Sequence, residues 1–376
     1  MKKIIQILLC AVLVSASAFS LDFGVLVTDN TDFYKVGENF ALDQSEIITP
    51  SLKVPFNTKD PIYFITEASI KHKLNSDLKD NTTNKFVLDL PLLKFSATHR
   101  FTHRTSISAE IGRFAVSDST GIVFNQPNDN VLVQFNSPYF VLSATAGYTG
   151  LLNSQNVEMI NSSNAVYTSG EGLYTLAAPY FTVIGSVALP YFIFKQSISA
   201  EAIVAINTQN NDLTRSWFTG IISGPLHNSL FYNLSTTFEI CEGRDLANFT
   251  QFNLSYFFDL LSSCVNFSAS YASPDFTQFT KITASSAAVT DTYSELLKLG
   301  LTASIIPVSK LYLALTTDVL FKAPKDNISY YGFEALGTIQ YQVFSDLQLS
   351  LKASTFLGSD ASTNKTDIAF AFTIAF

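Results

Sequence analysis

The sequence is poor in charge and, after its first twenty residues, has no long apolar run. Asp, Glu, Lys and Arg make up 14 % of the chain, against about 25 % in an ordinary soluble domain. A membrane-spanning helix needs roughly 18 uninterrupted apolar residues. The best candidate, residues 182–194, is shorter and contains Pro190. The composition therefore argues against an ordinary soluble domain, and the run lengths argue against a helical membrane protein.

The residues that catalysis, metal binding and nucleic-acid binding require are also scarce. The net charge is −8, whereas a nucleic-acid partner requires a basic stripe. The chain has four histidines and no Gly-x-Ser-x-Gly segment. His99 and His103 have no Asp, Glu or Cys close by to complete a metal site. We therefore predict no enzyme activity, no cofactor and no metal site.

The first residues predict a secretory signal peptide. Lys2 and Lys3 precede a mostly apolar run, residues 4–14, and the small-residue stretch 15–20 follows. This order of a basic start, an apolar core and small residues is typical of an export signal. We predict a signal peptide over residues 1–20 and a single mature domain over residues 21–376.

Aromatic residues and period-two alternation are abundant in the predicted mature chain. The whole sequence has 33 Phe and 16 Tyr, and alternation is clearest at its C-terminus. There Ile368, Phe370, Phe372, Ile374 and Phe376 alternate with Ala369, Ala371, Thr373 and Ala375. Strands with one apolar and one polar or small face are typical of a barrel between lipid and water. With helices excluded, a closed barrel is the remaining structure that pairs every backbone polar group in a membrane.

The connections between predicted strands alternate between tight turns and longer polar loops. Tight turns are predicted near Thr58, Arg100, Ser137, Pro190, His227, Ser262, Val308 and Ser345, and long loops near 29–45, 74–85, 116–128, 151–176, 208–213, 242–247, 273–292, 323–328 and 358–363. This gives an all-β, antiparallel transmembrane barrel of about 18 strands, or 16 if the short segments 21–28 and 129–136 are not strands. Bacterial barrels have short periplasmic turns and long extracellular loops. Both termini are therefore expected in the periplasm.

The terminal Phe376 and the alternating residues before it resemble the bacterial outer-membrane β-barrel superfamily, which includes the porins. The resemblance implies that Phe370, Phe372, Ile374 and Phe376 form the signal recognised by the barrel-assembly machinery. A second segment, residues 112–118 followed by 121–124, is similar to segments of spirochaete outer-membrane barrel proteins. These resemblances place the chain in a bacterial outer membrane, surrounded by its lipids.

The polar faces of the predicted strands should line the interior of the barrel. They place there Lys53, Glu67, Lys71, Arg104, Glu110, Lys195, Glu201, Glu239, Asp259, Lys298, Asp318, Glu334 and Lys352. A barrel of this size leaves a water-filled bore unless something plugs it. Mixed charge does not strongly select either ion sign. The sequence thus favours a porin-like channel for passive diffusion of small solutes, although the same charges could simply pair across neighbouring strands.

Two loops differ in composition. The loop from Ser117 to Asp129 carries Ile122, Val123 and Phe124, which are too apolar to lie comfortably in water, and we predict it as a candidate constriction. The alternative is that these residues pack against neighbouring loops above the membrane. The loop 152–176 is rich in Asn and Ser, and we predict that it is exposed at the surface.

Two other functions remain open from the sequence. A specific transporter of hydrophobic or oligomeric solutes would fit the Phe-rich composition, with Phe231, Phe257 and Leu336 on the lumen face. A surface adhesin or structural outer-membrane protein would use the long loops. The sequence allows a homo-oligomer.

Overall fold

The computed structural model describes residues 21–36, 39–57, 61–77, 81–167, 170, 172–209, 212–281, 292–325 and 327–376. The predicted signal peptide, residues 1–20, and the predicted turn at Thr58 lie outside the described residues.

Eighteen antiparallel strands form one sheet, in which each strand pairs with its neighbours along the chain. They are β1 (Asp22–Val36), β2 (Asn39–Asn57), β3 (Ile62–Ser76), β4 (Thr82–Thr102), β5 (Thr105–Ser117), β6 (Asn125–Asn136), β7 (Val141–Tyr148), β8 (Tyr180–Ile193), β9 (Gln196–Asn207), β10 (Arg215–His227), β11 (Leu230–Cys241), β12 (Ala247–Phe258), β13 (Ser263–Ala272), β14 (Leu296–Val308), β15 (Leu311–Lys322), β16 (Ser329–Gln342), β17 (Leu347–Gly358) and β18 (Lys365–Ala375). The described helices are two short 3-10 turns, Leu260–Ser262 and Ala361–Thr363. Within the described ranges, no helix is long and apolar enough to span a membrane.

The sheet closes on itself because the first strand pairs with the last. β1 and β18 run antiparallel from Leu26 opposite Ala375 to Val36 opposite Lys365. The Phe376 N–H donates to the Val25 carbonyl at 2.9 Å. Closure gives the first and last strands a partner on each side, so neither is an open sheet edge. The prediction of a closed antiparallel barrel of 18 strands is confirmed, and the 16-strand alternative is wrong because segments 21–28 and 129–136 lie in β1 and β6.

The two ends of the barrel differ in the length of their connections. One end, called here the turn end, carries Leu21, which is the first described residue, Phe376, and short connections such as 194–195 and 228–229. The other, the loop end, carries the long connections 149–179 and 273–295. Short and long connections alternate from β2 onwards as the sequence predicts, although some predicted turns are displaced by a few residues; the first connection, residues 37–38 between β1 and β2, is short. Arg100 and Pro190 lie within β4 and β8.

The prediction of a first loop at residues 29–45 is wrong, because β1 extends to Val36 and β2 begins at Asn39. Polar side chains hydrogen-bond along and across these strands: Gln44 Nε2 donates to Asp29 Oδ1 at 3.3 Å, and Asn30 Nδ2 donates to Asp32 Oδ2 at 2.8 Å. Polar composition suggested a loop there. The ladder between β1 and β2 instead keeps the backbone paired to the end of both strands.

Alternation separates an apolar outer face from a polar inner face. In β18, Ile368 and Phe370 are about half exposed on the outside of the barrel. Asp367 and Ala369, which alternate with them, line an interior cavity. Soluble monomers rarely expose apolar surface in such continuous bands. The outer face is therefore suited to apolar surroundings.

The wall has a seam where β4 and β5 separate beyond Leu93. β5 pairs with β4 only on the turn-end side of Leu93. On the other side, Leu88 N–H donates to the carbonyl of Leu173 in the β7–β8 connection at 3.1 Å. Arg113 lies in this seam and donates from Nε and Nη2 to the carboxylate of Asp129 at 2.8 and 2.9 Å. Its Nη2 also donates to the Leu151 carbonyl at 2.9 Å.

Gly112 explains why the chain can pass so close at this seam. Its φ is +121°, and a Cβ there would lie 2.0 Å from the Leu93 carbonyl oxygen. Only glycine tolerates both the backbone conformation and the approach. Gly112 and Arg113 thus have structural roles at the seam, where β4 and β5 separate.

Candidate functional site

Described parts of three loops from the loop end fold into the barrel and pack together. They are loop A (residues 118–124, between β5 and β6), loop B (149–179, between β7 and β8) and loop C (273–295, between β13 and β14). Phe124, Met159 and Phe279, one from each loop, are almost fully buried in a single apolar cluster. The buried parts of the three loops are called here the plug. Loop B was predicted as a surface loop, and this is wrong for its first half, where Leu152 and Ile160 are also buried.

Phe279 is the centre of the plug. Its ring stacks on Phe124 with centroids 5.3 Å apart, and meets Tyr180 edge-on at 5.0 Å. The Trp217 ring lies at 6.3 Å, and the Trp217 indole N–H donates to the Thr277 carbonyl at 3.0 Å. Since Tyr180 and Trp217 belong to β8 and β10, Phe279 joins two loops to the barrel wall.

Buried wall carboxylates hold the tips of loops A and C. Glu201 in β9 accepts hydrogen bonds from the backbone N–H and hydroxyl of Ser119 at 3.0 and 2.8 Å. Glu239 in β11 accepts the backbone N–H and hydroxyl of Thr277 at 2.5 and 2.6 Å. Hydrogen bonds to a charged acceptor are roughly twice as strong as neutral ones. These two predicted lumen residues lie on the inner face, buried under the loops rather than beside open water.

A buried arginine ties loop B to the wall. Arg215, at the start of β10, donates from Nη2 to the Ile160 carbonyl at 2.5 Å and lies 3.9 Å from Asp212. Asp212 accepts the Ser162 N–H at 2.9 Å and the Tyr180 hydroxyl. Burial acts to raise the pKa of Asp212, but the hydrogen bonds from Ser162 and Tyr180 and the charge of Arg215 outweigh it, so this pKa is lowered.

Loop A is shaped by its own aspartate. Asp118 Oδ1 accepts the N–H groups of Val123 and Phe124 at 3.0 and 2.8 Å. The Val123 carbonyl accepts from the backbone N–H groups of Phe279 and Thr280 at 2.9 and 3.0 Å. Ile122 is partly buried against the same cluster. The predicted constriction residues Ile122, Val123 and Phe124 are therefore placed inside the barrel, packed on loop C.

The other predicted lumen residues fall into two groups. Lys53, Glu67, Lys71, Glu110, Lys298, Asp318, Glu334 and Lys352 lie on the inner face of strands, as the register and alternation place them. Some pair across neighbouring strands: Lys298 Nζ lies 2.7 Å from Asp318, and Glu110 lies 3.0 Å from Lys94.

Arg104, Lys195 and Asp259 were predicted on strands, and this is wrong. They lie in the connections at the turn end, because β4, β8 and β12 end at Thr102, Ile193 and Phe258. Lys195 has a φ of +66°, a left-handed conformation that a strand does not allow. Alternation continued across these residues in the sequence and concealed the turns.

The plug leaves part of the wall uncovered. Its apolar cluster contacts β5, β8, β9, β10, β12 and β13, and among the described residues it includes none from β1, β2, β3, β16 or β18. One cavity of about 410 Å³, the wall cavity, lies against β1, β16, β17 and β18 and is lined by Asp32, Gln340, Lys352 and Asp367. A second of about 380 Å³, the lysine cavity, lies between β3 and the plug. The polar space inside the barrel is thus on the uncovered side.

Phe231, Phe257 and Leu336, which the sequence placed on the lumen face, lie on the inner face. Phe231 and Phe257 are near the turn end, with their ring centroids 5.7 Å apart, and Leu336 lines the wall cavity. Among the described residues, no group of three or more His, Cys, Asp or Glu is placed to hold a metal ion.

The plug residues in loops B and C were missed by sequence reasoning. The sequence signal that could have identified them is the one used for loop A, namely apolar residues inside a polar loop. Met159 and Ile160 stand out in loop B, and Phe276 and Phe279 in loop C.

The fold defines the class of protein, which is a closed, antiparallel β-barrel of 18 strands. Similar solved structures are OpdK, an outer membrane protein of Pseudomonas aeruginosa (9 % identity, TM-score 0.63, covering 94 % of this chain and 98 % of that chain), and OccAB4 of Acinetobacter baumannii (7 % identity, TM-score 0.64, covering 95 % and 98 %). OccK11 of P. aeruginosa is similar too (10 % identity, TM-score 0.62, covering 95 % and 96 %). No family model matches the sequence, and no curated protein matches it either. At these identities the likeness shows the fold alone.

Proposed function

We propose that this protein is an outer-membrane channel for passive diffusion of small polar solutes, and that it is not an enzyme. The observation that carries the proposal is the arrangement inside the barrel, where a plug covers one side and polar cavities lie along the other. An 18-stranded barrel is wide enough to retain a passage beside such a plug. The fold shared with OpdK, an outer membrane protein, supports the location.

The route of solutes follows the uncovered wall. Lys53, Glu67, Lys71 and Lys352 line it, and Lys298 with Asp318 and Glu334 lies beside it. The loop with Ile122, Val123 and Phe124 narrows the bore together with loops B and C. Because both charge signs line this route, we expect weak discrimination between small cations and anions in most of the bore.

We also propose how the chain is exported and assembled. Residues 1–20 act as the export signal, and Phe370, Phe372, Ile374 and Phe376 present the last strand to the barrel-assembly machinery. The turn end with both termini then faces the periplasm, and the apolar outer face contacts outer-membrane lipids. The likeness of residues 112–118 to spirochaete segments supports an origin in that group, and a homo-oligomer is compatible with this arrangement.

A selective channel is the second candidate, and the plug favours it over a wide diffusion pore. Buried carboxylates hold two of the three loops with hydrogen bonds, so the loops that narrow the bore are fixed in position. OpdK, a barrel of this fold, has been solved with vanillate, a small organic molecule. Selectivity here would arise beside the plug.

Reconstitution into planar bilayers tests the channel. We expect stepwise current increases that scale with salt concentration, and swelling of proteoliposomes in small sugars. A folded barrel, verified by its heat-sensitive migration on gels, that never conducts and never permits swelling would refute the proposal. Retained host-surface attachment in such a silent barrel would favour the adhesin alternative.

A further inference from the structure

The lysine cavity contains the features of a binding site rather than of a bare passage. It lies between the inner face of β3 and the plug, and its polar lining includes Lys71, Lys73, Gln126, Glu158 and Lys281. These residues come from β3, β6 and loops B and C. The cavity therefore exists only when the loops are folded into the barrel.

Gln126 is the most informative of these residues. Its side chain is 7 % exposed, and neither its amide nitrogen nor its amide oxygen has a hydrogen-bond partner. Buried polar groups in proteins are almost always hydrogen-bonded, because an unpaired one loses its contact with water without compensation. Gln126 belongs to the lining of the cavity, so its unpaired donor and acceptor lie at the cavity edge, where a small shift of the side chain would bring them to a bound molecule.

The cavity also has an excess of positive charge. Lys71 and Lys73 project from the same face of β3, two residues apart. Lys73 Nζ donates to the Gln155 carbonyl at 3.3 Å, and neither lysine forms a salt bridge with a described residue. Glu158 is paired with Lys281 at 3.1 Å. Among the described lining residues, three lysines against one glutamate leave an excess of two positive charges.

The loops fix this charge arrangement. The backbone N–H of Lys281 donates to the Glu158 carbonyl at 2.9 Å, and the Asn125 N–H donates to the Thr280 hydroxyl at 3.0 Å. Loops B and C and the start of β6 are thereby joined around the cavity. Since these bonds fix the backbone at or next to each residue, the positions of Glu158, Lys281 and Gln126 are set together.

We propose that the lysine cavity binds a small polar dianion, namely a phosphate monoester or a dicarboxylate that also carries hydroxyl groups. The anionic groups lie between Lys71 and Lys73, and the Gln126 amide donates to and accepts from the neighbouring polar groups. A dianion matches the excess charge, whereas a neutral sugar leaves both lysines uncompensated. The inference deepens the proposed function, on which it rests, by naming the solute class that the channel favours.

Two measurements on the purified full-length barrel separate this inference from the channel itself. Isothermal titration in detergent measures binding without conduction, and current block in planar bilayers measures binding in the bore. The probes are glucose 6-phosphate, malate, and glucose as the neutral control. We expect saturable binding and block by one or both anions and none by glucose. Binding of glucose 6-phosphate alone identifies a phosphate ester, and binding of malate alone identifies a dicarboxylate.

The variants are Lys71→Gln, Lys73→Gln and Gln126→Ala, with Lys310→Gln, at an exposed lysine in the turn-end connection between β14 and β15, as the matched control. Each of the two lysine variants should weaken binding about tenfold. Gln126→Ala should weaken glucose 6-phosphate more than inorganic phosphate, which is added as a probe without carbon-bound hydroxyl groups, and Lys310→Gln should leave binding near wild type. Equal loss in Lys310→Gln, or equal binding of glucose, overturns the site while conduction persists. A barrel that binds the dianion but never conducts retains the site and refutes the channel.

Discussion

Phe279→Ala is the sharpest perturbation of the plug, because this ring contacts both another loop and the wall. Phe279 is fully buried against Phe124, Tyr180 and Trp217. Truncating a buried Phe to Ala usually costs about 3–5 kcal/mol, from lost transfer energy and from the cavity left behind. If that cost falls on docking of the loops, the ratio of docked to undocked loops drops by about 150-fold to 5,000-fold. We expect frequent openings to a higher conductance.

The chain carries its own reporter of this change. It has a single tryptophan, and Trp217 is buried under the plug with its indole N–H bonded to the Thr277 carbonyl. In the wild type we expect blue-shifted emission that acrylamide quenches weakly. In Phe279→Ala the emission should shift to the red and quenching should increase, because water reaches the indole when loop C undocks.

Phe218→Ala is the matched control for this experiment. Phe218 is adjacent to Trp217 in sequence but lies on the outer face, where it is about half exposed. The same Phe to Ala change there should leave conductance and quenching unchanged. Wild-type current and quenching in Phe279→Ala, with the barrel still folded, would show that Phe279 does not hold the plug.

Substitutions at three other positions test separate parts of the structure. Glu239→Ala removes both hydrogen-bond acceptors of Thr277 in loop C, so current noise should rise. Glu239→Gln can still accept the backbone N–H and should raise the noise less. Equal noise in the two variants would contradict this. Arg113→Met leaves Asp129 unpaired in the seam and should destabilise the barrel by about 3–5 kcal/mol, seen as a lower temperature for the heat-induced gel shift. Lys325→Met breaks the surface pairs of Lys325 with Asp245 and Asp275 and should leave that temperature unchanged, because such pairs contribute little.

The barrel was predictable because its causes are local and repeated. Side-chain alternation in β16, β17 and β18 assigns the inner and outer faces residue by residue, and tight turns recur between hairpins. Polar strand ends were not predictable in the same way. The Asp29–Gln44 region has loop-like composition, yet its side chains hydrogen-bond across paired strands. Composition cannot distinguish a polar loop from a strand that continues into a polar environment.

The destination of the loops was predictable only in part, because it depends on contacts between distant residues. Phe279 and Trp217 are 62 positions apart, and Glu201 meets Ser119 across 82 positions. Apolar residues in loop A signalled that water was unfavourable for them, but both inward and upward packing would satisfy that signal. The loops pack inwards because of contacts with residues on β9, β10 and β11. The sequence of loop A does not reveal these contacts.

The hydrophobic effect acts in different places on the two sides of this wall. In the membrane location proposed above, outer-face side chains such as Phe370 contact lipid that is as apolar as they are, so burial there adds little to contacts between strands. Inside, the uncovered wall is polar, and the apolar surfaces of loops A, B and C are removed from water when they pack together. The plug is thus stabilised like the core of a soluble domain, enclosed by a membrane-type wall. Apolar substitutions should consequently be tolerated on the outer face and should alter function when they fall in the plug.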